Sequence, residues 1–196
     1  MDIDMTFPYA RVLDVYAGYT PAQKAGFILE HYERLEDMIA SYESDWRIVV
    51  SAEIRHNQRH ASQELGVKIQ HNSSGDPTMY EAINRIEMDT ARSDTELLEA
   101  LRHTDDPEAH MRERRILQDM LDDLALCRNS LNRLSQCDKE IILRYLLRNG
   151  GRLQDIADKL DISLVAFKKK IERLRRMVVS SATASLELKY GLVEGR

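Results

Sequence analysis

The residues best suited to bind a partner stand near the C-terminal end, in the stretch SLVAFKKKIERLRR at 163–176. It holds six Lys or Arg side chains and one acid, Glu172, although the whole chain carries a net charge of −5. Ammonium and guanidinium groups donate hydrogen bonds to phosphate oxygens and to guanine acceptors. The stretch therefore indicates either a surface for nucleic acid or a solvated helix face that is basic.

A second candidate for chemistry is the pair His56 and His60, which stand four residues apart with Glu53 and Glu64 on either side. On a helix this spacing brings two imidazoles to one face, an arrangement that can hold zinc. We favour the simpler interpretation, two exposed histidines on a polar helix. We therefore predict no metal site and no cofactor.

The sequence favours no enzyme class. It contains no Gly-rich phosphate loop, and no Ser or Cys stands in a nucleophile motif. Cys127 and Cys137 have no His or Cys at metal-ligand spacing, which predicts two reduced thiols. The acidic start MDIDMTFPYARVLD lacks the features of a secretory signal, and no run of about eighteen apolar residues could span a membrane, so we predict a cytoplasmic chain.

Charge divides unevenly along the chain. Residues 1–75 carry a net charge of −4, residues 76–136 carry −6, and residues 137–196 carry +5. An acidic body therefore bears a basic end, which suggests an anionic partner for that end.

The local signals are those of helices, and they predict an all-α fold. Three of the four prolines directly follow a capping residue, in Thr20-Pro21, Asp76-Pro77 and Asp106-Pro107. Ser93 marks a further helix start, with a helix expected at about 94–103 after another at 77–91. The best strand candidate, GVKIQ at 66–70, is short and isolated.

Two apolar seams with alternating spacings of three and four run along the chain. The first predicts one long helix beginning at Pro21, and the second runs from Leu117 to Leu134. The seam residues are Ile28, Tyr32, Leu35, Ile39, Tyr42, Trp46 and Val49, then Leu117, Met120, Leu124, Cys127, Leu131 and Leu134. The seams pack either on each other or across a homodimer, and the sequence does not choose between these.

The clearest linker is QHNSSGDPT at 70–78, which is rich in turn residues. It suggests three segments. Residues 1–75 form an N-terminal helical arm, residues 76–134 form central helices for packing or dimerisation, and residues 135–196 form a basic domain with a C-terminal tail.

The basic domain reads as three helices. Ser135 caps a helix that is expected to end at Gly150-Gly151, and RLQDIADKL at 152–160 forms a short helix. The turn DIS at 161–163 follows, and Ser163 caps the last helix. This order predicts a helix-turn-helix whose last helix enters the DNA major groove.

Individual residues of this domain meet the demands of that motif. Ala157 is small enough for close crossing of the two helices, and Asp161 stands where a positive φ is needed, usually by Gly. Ile162 and Phe167 fill the space between the helices. The inward stripe of the last helix is predicted as Val165 or Ala166 with Phe167, Ile171, Leu174 and Val178.

The strings LSQCDKEIILRYLL at 134–147 and LQDIADKLDISLVAFKKKIERLRR at 153–176 resemble sigma factor region four. With LGVKIQ at 65–70 and SGDPTMYEAINRI at 74–86, the whole chain resembles phage and mobile-element transcription regulators of the RinA and ArpU type. The resemblance implies an N-terminal helical arm followed by a sigma-region-four-like helix-turn-helix. It also implies a DNA-binding activator of phage or prophage genes.

We expect the contacts with double-stranded DNA to come from the last two helices. Lys168 and Lys169 are expected to donate to guanine acceptors, and Arg173, Arg175 and Arg176 to meet phosphates. The full set of expected DNA-binding residues is Arg152, Ser163, Leu164, Val165, Lys168, Lys169, Lys170, Arg173, Arg175 and Arg176.

Three other kinds of protein contain a similar helix-turn-helix domain. A complete sigma factor would need a promoter-melting region with clustered basic and aromatic residues, whereas the first 136 residues carry a net charge of −10. A region-four-like adaptor would dock on RNA polymerase through an apolar face. A phage small terminase subunit would join the same motif to a ring-forming helical region that recognises packaging DNA.

Overall fold

A computed structural model describes residues 8–64, 88, 93–148 and 151–192, with the side chains of 8–10 and 61–64 left out. All regular secondary structure in this part of the chain is helical, which confirms the predicted all-α class. The helices are α1 (Pro8–Ala17), α2 (Pro21–His31), α3 (Leu35–Glu64), α4 (Asp94–Ala100), α5 (Pro107–Asn132), α6 (Gln136–Leu146), α7 (Leu153–Lys159) and α8 (Leu164–Lys189). The predicted linker at 70–78, the strand candidate at 66–70, the cap at Asp76 and the helix at 77–91 lie outside the described residues, except for Met88.

The predicted helix starts at Thr20, Ser93 and Asp106 are confirmed. The hydroxyl of Thr20 accepts a hydrogen bond from the amide of Gln23, whose side chain accepts one from the amide of Thr20, so both halves of a capping box are present. Ser93 and Asp106 accept from amides three residues on. Such caps fix helix ends because they satisfy amides that have no partner within the helix.

The expectation of one long helix from Pro21 is wrong. The helix stops at His31, and α3 begins at Leu35 after a three-residue turn in which the amide of Arg34 donates to His31 O at 2.9 Å. Ile28 and Leu35, on either side of this turn, are both buried. The seam therefore describes burial correctly without requiring a continuous helix.

The seam also shifts along α3. Trp46 is buried as predicted, but the next buried positions are Val50 and Ile54 rather than Val49. A helix of 3.6 residues per turn drifts by about 20° per heptad relative to a strict 3.5-residue repeat. Over the two heptads from Leu35 to Val49 this drift amounts to about 40°, which turns Val49 away from the buried face and brings Val50 closer to it.

The chain forms two compact units, each built from separated segments. The first comprises residues 1–13 and 40–117, and the second comprises residues 14–39 and 118–196. In the first unit, the indole N–H of Trp46 donates to the carbonyl of His110 at 3.1 Å. In the second, Glu36 of α3 pairs with Arg128 of α5 at 2.7 Å. The helices that carry the two seams therefore contact each other within one chain in both units.

His110 is a buried titratable group of the first unit. Its two ring nitrogens lie 3.0 Å from a carboxylate oxygen of Glu53 and 3.2 Å from one of Glu113. Burial alone would lower the pKa of His110, but the hydrogen bonds to Glu113 and Glu53 outweigh it and raise the pKa above the ordinary value. The folded chain therefore binds the proton of the His110 imidazolium more tightly than the unfolded chain does.

We expect this histidine to make folding depend on pH. A raised folded-state pKa contributes stability that is fully present below the unfolded value of about 6.5 and is lost as pH rises through the folded-state pKa. Urea unfolding followed by the fluorescence of Trp46 should therefore give a lower midpoint at pH 8.5 than at pH 6. His110→Gln should reduce this pH dependence, whereas the exposed-site change His103→Gln should leave it intact. Equal pH dependence in the wild type and His110→Gln would contradict the assignment.

Candidate nucleic-acid interface

The turn between α7 and α8 has the geometry that the sequence predicted. Asp161 has a φ of 53°, in the left-handed region, where Asp is one of the few tolerated side chains. The amide of Ile162 donates to Ala157 O at 3.2 Å, and that of Asp161 donates to Asp158 O at 3.1 Å. These two bonds form a Schellman motif, which ends α7 and redirects the chain into α8.

Side chains around the turn hold α8 in place. Ala157 and Phe167 are fully buried, and Ile162 packs against the same apolar cluster. The hydroxyl of Ser163 accepts from the amide of Ala166 at 3.2 Å, which confirms Ser163 as the N-cap. The start of α8 is therefore fixed both by its cap and by a packed core.

The inward stripe of α8 differs from the prediction at its start. Val165 and Ala166 are exposed, and Leu164 packs against the core instead. The remaining predicted positions are buried, namely Phe167, Ile171, Leu174 and Val178. Leu164 continues this stripe at the same spacing of three and four, so the register moves one residue toward the N-terminus.

The opposite side of α8 carries the exposed cations. Val165, Lys169, Arg173 and Arg176 follow one another at spacings of four, four and three and form an outward stripe, with Lys168 on its flank. All five side chains are exposed. Among the described residues, no carboxylate lies within ion-pair distance of Lys168, Lys169 or Arg173.

Two of the predicted DNA-binding residues are engaged within the protein. Lys170 pairs with Asp138 of α6 at 3.0 Å, and this contact lowers the pKa of the Asp138 carboxyl. Arg175 is half-buried, with its guanidinium 5.9 Å from the ring centre of Tyr145. Both side chains therefore stabilise the packing of α8 on α6.

The other predicted DNA-binding residues lie at the ends of the exposed stripe of α8 or outside it. Arg152 is exposed immediately before α7, and its side chain makes no cap hydrogen bond. Arg176 pairs with Glu172 at 3.6 Å on the exposed face. The hydroxyl of Ser163 caps the helix and Leu164 packs into the core, so Val165 is the large exposed apolar side chain of the first turn, beside the small Ala166.

The helix before this region ends earlier than expected. α6 stops at Leu146 rather than at Gly150-Gly151, and the amide of the cap residue Leu147 donates to Leu143 O. The amide of Gly151 donates to Arg148 O at 2.7 Å, and a Cβ on Gly151 would lie 2.9 Å from that oxygen, so this close approach requires glycine.

A groove of about 630 Å³ lies between α6 and α7. Leu143, Leu147 and Ile156 supply apolar surface to it. Its basic lining residues are Lys139, Arg144, Arg148, Arg152 and Lys159, and its acidic ones are Glu140 and Asp155. The groove thus combines an apolar surface with an excess of positive charge.

The sequence reasoning missed a polar cluster around Asp123 of α5, which is fully buried in the second unit. Tyr16 and Tyr190 donate hydroxyl hydrogen bonds to its carboxylate at 2.9 and 2.8 Å, and Lys189 donates at 2.8 Å. Lys24 donates to the Tyr190 hydroxyl at 2.8 Å and lies 3.7 Å from Asp123. Burial and the carboxylate raise the pKa of both tyrosines far above the ordinary value, so both hydroxyls keep the proton that they donate.

One sequence signal could have found this cluster. Asp123 stands three residues after Met120 and four before Cys127, on the face of the second seam. An acid on an apolar face must be paired when it is buried. Its partners come from α1, α2 and the end of α8, and no spacing rule connects these segments.

The cysteines and the histidine pair were the other candidates for chemistry in the sequence. Cys127 is buried, and burial together with nearby Asp123 raises its thiol pKa to about 12, whereas Cys137 is exposed. The ring centres of His56 and His60 lie 4.4 Å apart, but the carboxylate of Glu53 contacts His110 instead of this pair. Within the described ranges, no three His, Cys, Asp or Glu side chains gather around a space for a metal ion.

None of the described helices combines the length and apolar character needed to cross a membrane. Comparison of the chain with protein-family models, with curated proteins and with solved structures finds no match.

Proposed function

We propose that this chain is a sequence-specific DNA-binding transcriptional regulator. In this proposal α7 and α8 form a helix-turn-helix, and residues 163–178 lie in the major groove. The observation that carries the proposal is the outward stripe of α8, where exposed cations lie on a helix whose opposite face is packed in the hydrophobic core. Rigid presentation of such a helix is what direct reading of base edges requires.

The positions of the cations suggest their roles. Lys168 and Lys169 stand one turn inside the start of α8, within reach of guanine O6 and N7 when the start of the helix points into the groove. Arg173 and Arg176 follow one and two turns later, where the helix leaves the groove and phosphates are nearest. Arg152, at the start of α7, would reach a phosphate of the flanking backbone.

The charge distribution supports the same orientation. Residues 137–196 carry a net charge of +5, and the first 136 residues carry −10. A polyanion attracts residues 137–196 and repels the acidic remainder of the chain, so we expect DNA to bind at the basic end. The resemblance to RinA and ArpU regulators supports a role as an activator of phage or prophage genes.

The proposal is tested by selection from a pool of random-sequence duplexes. The purified full-length chain should enrich one related set of sequences over successive rounds. It should then bind the selected duplex about 1,000-fold or more tightly than a scrambled duplex of equal length at physiological salt. Uniform retention of all sequences, or of none, would reject sequence-specific binding.

A second candidate function is that of an adaptor that docks on RNA polymerase. The apolar groove between α6 and α7 favours it, because a region-four-like module would dock through an apolar face. A chain that selects no duplex but binds purified RNA polymerase, and loses that binding when Leu143 and Ile156 are changed to Ser, would support this alternative.

A further inference from the structure

We infer that Val165 contacts the C5 methyl group of a thymine, beside a guanine that Lys169 contacts. This inference rests on the proposed function, because it assumes that α8 lies in the major groove. It adds a specificity determinant, since an apolar side chain can distinguish thymine from bases that lack the methyl group.

The exposure of Val165 is the first reason. Its residue surface is 64% exposed in the first turn of α8, where the neighbouring large apolar side chains Leu164 and Phe167 pack into the core. Valine is also a weaker helix former than Lys, Glu or Ala, so helix stability does not account for its presence. The isopropyl group therefore offers an apolar contact that the described part of the chain leaves unused.

The surrounding charge is the second reason. The first turn of α8 contains no acidic residue, although an acid there would be favourable to the helix dipole. Lys168 and Lys169 are exposed one turn later, and they carry no carboxylate partner among the described residues. An apolar group beside unpaired cations suits duplex DNA as a partner, because DNA presents both methyl groups and hydrogen-bond acceptors and is a polyanion. An apolar protein surface would leave the two cations without partners.

The spacing is the third reason. Val165 and Lys169 are four residues apart on one face of α8, with Cβ atoms about 5–6 Å from each other. Base pairs stack about 3.4 Å apart, so the two side chains meet bases within about two steps. The methyl group of thymine matches the isopropyl group of Val165, and O6 and N7 of guanine match the ammonium group of Lys169.

The experiment replaces thymines by deoxyuridine, one at a time, in the duplex obtained by selection. Deoxyuridine removes the C5 methyl group and keeps base pairing. At one thymine the replacement should weaken binding of the wild type by about fourfold, the value of one buried methyl-sized contact. Val165→Ala should bind the thymine and deoxyuridine duplexes equally well and keep the wild-type salt dependence, because no charge is lost.

A matched control is Leu188→Ala, which truncates another exposed apolar side chain of α8, 69% exposed and far from the first turn. It should retain the full sensitivity to deoxyuridine. If every single replacement leaves wild-type binding unchanged, or if Val165→Ala keeps the sensitivity, the assignment of Val165 is wrong while DNA binding stands. If no duplex is ever selected, both the inference and the proposed function fail.

Discussion

Replacing Asp123 with Ala is expected to lower the free energy of unfolding by about 3–5 kcal/mol, as is typical when one partner of a buried charge cluster is removed. The variant leaves the ammonium group of Lys24 buried without its carboxylate. It also leaves the hydroxyl of Tyr16 without its acceptor. Alanine is a strong helix former, so a weaker α5 would not explain the loss.

The expected effect is large because the carboxylate joins distant parts of the second unit. Tyr16 comes from α1, Lys24 from α2, and Lys189 and Tyr190 from the C-terminal end of α8. α8 also packs along α2. Since α8 is one continuous helix from Leu164 to Lys189, the cluster anchors the helix whose other end we propose to lie in DNA.

Urea unfolding followed by circular dichroism measures this effect. Asp122→Ala is the matched control, because Asp122 is the neighbouring residue, its side chain is 51% exposed, and it lies 3.7 Å from the same Lys189. The control should change the free energy of unfolding by about 0.5 kcal/mol or less. A loss below about 1 kcal/mol for Asp123→Ala would show that the cluster does not hold the unit together.

Features set by local sequence could be predicted well. The caps at Thr20, Ser135 and Ser163 depend on residues three positions away, and the positive φ of Asp161 depends on the turn that it occupies. Burial of Ala157 follows from the close crossing that this turn enforces. In each case the physical cause lies within a few residues, where spacing alone carries the information.

Helix ends and registers were less predictable. The break at Tyr32–Arg34 has no Gly or Pro to mark it, and the exchange of Val49 for Val50 arises from helix drift accumulated over several turns. The residues after Ser180 have no clear helix signal in the sequence either, yet α8 continues to Lys189, with Ala182 and Leu186 buried. These outcomes depend on packing partners elsewhere in the chain.

The candidate interface shows the same division. Exposure of Lys168, Lys169 and Arg173 followed from helical periodicity around a buried stripe. The internal roles of Lys170 and Arg175 did not, because Asp138 and Tyr145 lie about thirty residues earlier. A basic residue on a helix can pair within the protein or face solvent, and only the packing of α6 on α8 decides between these.

The second large effect is expected in DNA binding. Changing Lys168, Lys169 and Arg173 together to Ala should weaken binding to the selected duplex by about 100-fold or more at physiological salt, because two groups that we assign to bases and one assigned to phosphate are lost. The three side chains are exposed, so the fold should be retained with changes in stability of about 0.5 kcal/mol per site or less. Circular dichroism checks this before binding is measured.

A variant with the same loss of charge provides the control. Arg11, Arg59 and Arg112 are exposed helical residues of the first unit, outside the proposed interface. Changing these three to Ala removes three positive charges without altering α8. A general effect of net charge would weaken binding by the control variant as much as by the α8 variant.

The most direct test of the central claim is the affinity of the wild type and these two triple variants for the selected duplex as a function of salt concentration. Each phosphate contact that is lost should reduce the slope of log affinity against log salt by about 0.9. Because Arg173 is the one of the three side chains that we assign to phosphate, the slope should be smaller by about one for the α8 variant and should equal the wild-type slope for the control. Equal slopes and equal affinities for the two variants would contradict the assignment of α8 as the helix that reads DNA.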